Sequence, residues 1–178
     1  MSKKSDLHVP IALALMAMLL VGCGSGGDSP GGSVDAGGPG GVATGSGTLT
    51  WFDDGSKHTA LYPSAARVIS SSLDMVQLAG GDPVGFAVAL GVSVPPPLVP
   101  GTYACGVTGD RVIGSLTYTV STTNTLVYES CSIQLTSLGD KTGGRAVGAF
   151  SAILTLPAGG TKAITNGVFD VPLTVNSP

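Results

Sequence analysis

From about Gly47 onward the chain alternates apolar residues with small or polar ones at a period of two, the pattern of half-buried β-strands. The clearest run is Val84–Val94. Val84, Phe86, Val88, Leu90, Val92 and Val94 fall on one face, and Gly85, Ala87, Ala89, Gly91 and Ser93 on the other. The first face belongs to a core. The second carries only small side chains, which lets another backbone approach closely or leaves that face thinly covered.

Other segments repeat the pattern. Leu49 and Trp51 alternate in a first strand that ends at Asp53-Asp54-Gly55. Arg67–Ser71 and Leu73–Leu78 read as strands, the second ending at Gly80-Gly81-Asp82-Pro83. Leu116, Tyr118 and Val120 alternate, as do Cys131, Ile133 and Leu135. Phe150, Ala152, Leu154 and Leu156 follow, then Phe169, Val171, Leu173 and Val175. Ala60–Leu73 is open between a helix start at Ala65-Ala66-Arg67 and extended chain, and Val68, Ile69 and the serines favour extension.

Turn chemistry separates the runs. Pro95-Pro96-Pro97 lacks backbone donors, stops its strand and carries the chain from one sheet to another. Pro100-Gly101 suits a type II turn. Ala158-Gly159-Gly160 suits a hairpin loop, and Asn166-Gly167 a hairpin turn or a bulge within the last strand. Pro172 cannot donate to a ladder, which places it at an edge or a bulge. About eight or nine short strands at this spacing predict an all-β fold, an antiparallel sandwich or, as the alternative, a partly open barrel.

The first residues carry a different message. Lys3 and Lys4 precede an unbroken apolar run, Ile11–Val21. That run is short of the roughly 20 residues that span a bilayer, so it reads as an export signal. Asp6 and Pro10 are mild departures from such a signal. Its exit, Leu20-Val21-Gly22-Cys23, resembles the lipobox of bacterial lipoproteins. The resemblance implies a diacylglycerol on the Cys23 sulfur, cleavage before Cys23, and a further acyl chain such as palmitate on the new amino terminus. Two or more acyl chains anchor stably where one is marginal. By the same resemblance, Gly24 rather than Asp after the cysteine implies the outer membrane of a Gram-negative host.

Between Gly24 and Ser46 the sequence is rich in glycine, the rest being nearly all small or polar residues, and it cannot bury a core. Such chains behave as flexible coils, and this one should reach roughly 25 Å on average. The expected organisation is therefore a signal over 1–22, a lipidated cysteine and tether over 23–46, and a β-domain over 47–178.

Lipidation of Cys23 leaves Cys105 and Cys131, each in a strand-like segment. Outside the cytosol they are expected to form one disulfide, which at this loop length contributes roughly 3 kcal/mol in the chain-entropy model. No CxxC spacing points to a redox-active pair.

Composition narrows the function. Charged residues make up 11% of the chain, and the net charge is -3. Arg67, Arg111, Arg145, Lys57, Lys141 and Lys162 are scattered singly, so no basic patch is expected for nucleic acid. No DxDxDG calcium loop and no GxSxG elbow occurs. Neither a metal nor a cofactor is expected. The densest group of catalytic residue types is Asp53, Asp54 and His58, a carboxylate–histidine set that could act as a general base or hold a metal. Its plainer reading is a solvated Asp-Gly turn. Glu129, the only glutamate, is expected either partly buried or facing solvent beyond a bulge. Trp51 with Phe52, and Tyr103, Tyr118 and Tyr128, are expected mainly in the core, with a sugar or peptide groove as the alternative.

Three stretches carry a further resemblance: Pro100-Gly101-Thr102-Tyr103, Val147-Gly148-Ala149-Phe150-Ser151-Ala152, and Ile164-Thr165-Asn166-Gly167-Val168-Phe169-Asp170-Val171-Pro172-Leu173. They resemble a pattern seen in uncharacterised bacterial lipoproteins with a β-rich domain of unknown function. The resemblance covers about Gly47 to Val175. It implies a sandwich-like fold and brings no activity, cofactor or catalytic residue. The expectation is a membrane-anchored module that binds an envelope protein or a glycan, or that serves a structural role. The alternative is a surface-anchored hydrolase using Asp53, Asp54 and His58.

Overall fold

The computed structural model describes residues 46–177, apart from 109–110 and 122–123. The expected signal, Cys23 and the expected tether up to residue 45 lie outside the described residues. Eleven strands follow in order: β1 (Thr48–Asp53), β2 (Ser56–Thr59), β3 (Ser64–Ile69), β4 (Asp74–Gly81), β5 (Ala87–Val94), β6 (Gly101–Ala104), β7 (Gly106–Thr108), β8 (Arg111–Ser121), β9 (Asn124–Leu138), β10 (Arg145–Thr155) and β11 (Thr161–Asn176). Among the described residues there is no helix.

Hydrogen-bonded neighbours run β10-β9-β8-β5-β4-β3-β11, and β11 returns to β10. Seven strands thus close a barrel. The all-β expectation holds, and the barrel alternative describes the body better than the sandwich, in a closed form rather than a partly open one. The remaining strands are additions: β1 and β2 extend from β11, β6 pairs with β9, and β7 with β8.

The pairing is not wholly antiparallel, which corrects the expectation. β3 lies parallel to the end of β11, with Leu173 beside Ala65 and Asn176 beside Val68. This is possible because β11 changes partner along its length. Thr48–Asp53 of β1 pairs alongside Asp170–Ile164, and β3 takes over from Leu173. Leu173 exchanges hydrogen bonds with Gly144 and Gly143 on the β10 side. Alternation then turns the donorless Pro172 nitrogen towards the gap between β1 and β3, where the strand has a local edge.

A seven-stranded barrel is narrow enough for side chains to fill it. The period-two residues do so: Leu49 and Trp51 from β1, Val76 and Leu78 from β4, and Val88, Leu90 and Val92 from β5 are buried. So are Leu116, Tyr118, Ile133, Leu135, Phe150, Leu154, Phe169, Val171 and Leu173. Trp51 and Tyr118 are thus core residues.

The stretches that carried the family resemblance set the register of the wall. Gly148-Ala149-Phe150 on β10 and Gly167-Val168-Phe169 on β11 run antiparallel, with Gly148 opposite Phe169 and Phe150 opposite Gly167. Each phenylalanine ring covers the glycine across from it. A Cβ at Gly148 would lie 2.5 Å from the Phe169 ring and 1.9 Å from the Gln134 carbonyl, and one at Gly167 would lie 2.6 Å from the Phe150 ring. A one-residue slip would turn the rings to the wrong face and a two-residue slip would set Phe150 against Phe169, so the pair pins one register. Asn166, at φ 49°, forms the expected bulge: the register shifts there against both β10 and β1.

Three local expectations are corrected. Val84 continues the alternation of β5 in sequence but lies in a turn, with its side chain 74% exposed. Asp82 captures that segment by accepting hydrogen bonds from the amides of Val84 and Phe86, and local capping of this kind overrides periodicity. Gly101 is not at positive φ in a type II turn; it opens β6. Ala60–Leu73 takes the favoured extended option in its middle, but the strand expected at Arg67–Ser71 runs instead over Ser64–Ile69, with bends at 61–62 and 71–72. The triple proline does carry the chain across the body, from β5 against β8 to β6 against β9. Glu129 is exposed at a register shift of β9, the solvent-facing option.

Candidate functional site

The candidate residues sit at one mouth of the barrel. β1 and β2 form a hairpin closed by Asp54-Gly55, both at positive φ (47° and 83°), the conformation for which Asp-Gly is favoured. Trp51 lies opposite His58 and Asp53 opposite Ser56. Asp53 is in phase with the buried Leu49 and Trp51, so its carboxylate points inward and is only 4% exposed.

Two separate polar groups result. In the first, the Tyr118 hydroxyl donates to Asp53 Oδ2 at 2.7 Å, and Lys162 Nζ lies 2.8 Å from Asp53 Oδ1 and 3.2 Å from Asp54 Oδ2. Burial, reinforced by the hydrogen bond to Asp53, pushes the Tyr118 phenol well above the ordinary tyrosine value. Burial would lower the Lys162 ammonium, but the two aspartates outweigh it and hold it above the usual lysine range. In the second group, His58 Nδ1 lies 2.6 Å from Asp82 Oδ2. Burial would raise the Asp82 carboxyl, yet His58 and the amides of Phe86 and Val84 hold it below the ordinary carboxylate value. The His58 ring stacks on Trp51 (centroids 5.4 Å, 13°) and tilts against Phe86 (4.8 Å).

The structure therefore does not join Asp53 or Asp54 to His58 by a hydrogen bond. The histidine's partner is Asp82, which the sequence presented as a turn residue. Asp54 is exposed on the hairpin tip. Two surface depressions lie elsewhere. One, of about 440 Å³, is lined by Thr102–Val107 with Val94 and Ile113. The other, of about 280 Å³, is lined by Ser130–Ser132, Ser151–Ile153 and Ala163–Thr165. Tyr103 borders the first, with its hydroxyl bonded to the Val99 carbonyl. Among the described residues no three His, Cys, Asp or Glu side chains gather as metal ligands.

His58 also holds a seam. β2 and β4 share no ladder among the described strands. What bridges them is the Leu61 amide on the Gly81 carbonyl at 3.0 Å and the His58–Asp82 bond.

The opposite mouth holds a third polar group. Arg67 from β3 and Asp74 from β4 form a buried two-point ion pair, Nε to Oδ1 at 2.9 Å and Nη2 to Oδ2 at 2.7 Å. The guanidinium also donates to the Gly139 and Leu98 carbonyls, and the Leu98 amide donates to Asp74. The Asp74 hydrogen bond and charge raise Arg67 against the pull of burial. Burial would raise Asp74, but Arg67 and the Leu98 amide leave it below its ordinary value. The triple-proline loop and the β9–β10 loop are thereby tied over this mouth.

Cys105 and Cys131 form the expected disulfide, with Cα atoms 5.0 Å apart, and the Cys105 amide donates to the Cys131 carbonyl. It fastens the corner between β6 and β7 to β9. Comparison with protein-family models, curated proteins and solved structures finds no match.

Proposed function

We propose that this chain is an exported lipoprotein, anchored through acyl groups on Cys23, whose barrel is a non-catalytic binding or structural module of the cell envelope. The ordered series of charged start, apolar run, Gly22-Cys23 and Gly-rich segment supports the anchor. Gly24 supports an outer-membrane address. The observation that carries the module reading is the engagement of the chemistry-bearing side chains. Asp53, His58, Asp82, Arg67 and Asp74 are turned into the body: Asp53 is held by Tyr118 and Lys162, and the others are bonded in pairs and to neighbouring main chain, where they hold the barrel together. A glycan or an envelope protein is the proposed partner.

The hydrolase alternative draws its support from one feature, the 2.6 Å carboxylate–histidine contact, now between His58 and Asp82. The ring packs on Trp51 and Phe86, away from both surface depressions.

Mass spectrometry of the mature amino terminus tests the anchor: a triacylated Cys23 is expected, and an unmodified residue overturns it. Crosslinking in intact envelopes tests the module. Recovery of one specific partner is expected. Hydrolytic turnover abolished by His58→Ala in a variant that remains folded would favour the enzyme instead.

A further inference from the structure

We infer that Leu61, Tyr62 and Val84 form a bilayer-contact patch that settles the barrel on the surface of the membrane holding its lipid anchor. The inference rests on the lipoprotein reading. Leu61 is 57% exposed, Tyr62 88% and Val84 74%. The three lie in two neighbouring connections, since the Leu61 amide is bonded to the Gly81 carbonyl, next to the 82–85 turn. Of the other exposed large apolar residues, Val127, Ile153 and Val168 lie on strands of the wall, Val107 on the added strand β7, and Val99 alone in the connection before β6.

The two connections are held rather than loose. Asp82 accepts from the amides of Val84 and Phe86, its own amide bonds to the Phe86 carbonyl, and His58 fixes its second oxygen. Apolar side chains are thus presented outward on a braced support, which lowers the entropy lost on contact. Tyrosine suits the role, with a ring that enters the apolar boundary and a hydroxyl that stays in the headgroups.

The choice of a lipid surface comes from where the chain enters the body. Gly47 packs into the angle between Pro63 and Pro172: a Cβ there would lie 3.2 Å from the Pro63 ring and 3.1 Å from that of Pro172. Pro63 directly follows Tyr62. The Gly24–Ser46 segment therefore joins the barrel beside the patch. A Gly-rich tether of this length, with a mean reach of roughly 25 Å, keeps the patch near the headgroups. The resulting effective concentration is on the order of millimolar, so a contact too weak to recruit a free protein is still occupied.

The test uses the full lipidated chain in vesicles of phosphatidylethanolamine and phosphatidylglycerol, checked by flotation. A polarity-sensitive fluorophore is placed at Tyr62→Cys, at Val84→Cys and, for reference, at Val127→Cys. Expected are a blue shift, loss of most quenching by a water-phase quencher and quenching by a lipid-phase quencher at 62 and 84, with none of these at 127. A chain that floats but gives equal readings at all three positions overturns the patch and leaves the anchor standing. Shielding from water without lipid-phase quenching shows that protein covers the patch, a second copy for example, and also overturns it. A chain that fails to float overturns the anchor and the patch with it.

Discussion

The two mouths of the barrel are closed by buried charges in different ways. At the Arg67 mouth one guanidinium meets one carboxylate at two points, and its remaining donors reach the carbonyls of two crossing loops. At the Asp53 mouth the work is divided. Tyr118 and Lys162 serve Asp53, while His58 and Asp82 bridge a seam with no ladder. The difference teaches that a narrow barrel can be stopped at one end by a knot whose cation never titrates and at the other by a tyrosine and a lysine that lose their protons in alkali. The Arg67 guanidinium stays charged at any pH the protein meets.

The largest test of this contrast is Arg67→Met. It strands the Asp74 carboxylate in the interior and frees two loop carbonyls, so a loss of about 3–5 kcal/mol is expected in urea unfolding. Arg67→Met with Asp74→Leu should recover most of that loss, because a buried pair replaced by apolar groups is often neutral. If the double variant is as unstable as the single one, loop tethering rather than charge burial is what the knot supplies. Asp82→Ala comes next. It removes the acceptor for two amides and the partner of His58, at about 1–3 kcal/mol. Amide exchange should quicken at Leu61 and Phe86 before it does in β9. Tyr118→Phe is the smallest, about 1 kcal/mol, since Lys162 still faces Asp53.

Titration sharpens the same contrast. Tyr118 and Lys162 hold their protons more tightly in the folded state. Their contribution is complete below the ordinary values of 10.0 and 10.5 and is lost as pH rises through the raised folded values. Alkali should therefore loosen the Asp53 mouth, and Tyr118→Phe should flatten part of that decline, while the Arg67–Asp74 double variant keeps it. Acid acts on both mouths. Asp74 and Asp82 are held below 3.8, so their contribution is complete above that value and is lost as pH falls through the depressed folded values. Thermal melts from neutral to strongly alkaline and strongly acid pH check both limbs.

Much of the wall was legible from residue order alone. Alternation located the buried faces of β1, β5, β8, β10 and β11, and Asp-Gly and Gly-Gly marked two hairpins. Partnership was not legible. Period two says that Asp53 follows Leu49 and Trp51 inward and that Asp74 precedes Val76 and Leu78 on one face, which was signal enough for buried carboxylates. It says nothing of which cation meets each one, because Lys162 and Arg67 reach them through pairings that only the closed barrel creates. Asp82 was hidden for a different reason: beside Pro83 it has the composition of a solvated turn, and nothing local marks the histidine 24 residues earlier. The parallel β3–β11 contact joins segments about a hundred residues apart and leaves no trace in either one's pattern.

The switch of partners along β11 bears on how the molecule comes into being. Three neighbours, β10, β1 and β3, wait for a strand that is made after all of them. A nascent chain can zip the β4–β5 hairpin early, but its ring stays split until Thr161–Asn176 arrives. Contacts between ends this far apart in sequence make folding slow. During that interval three open strand flanks are the ones a chaperone would have to shield, and clipping β11 should yield fibres or aggregates rather than a smaller barrel.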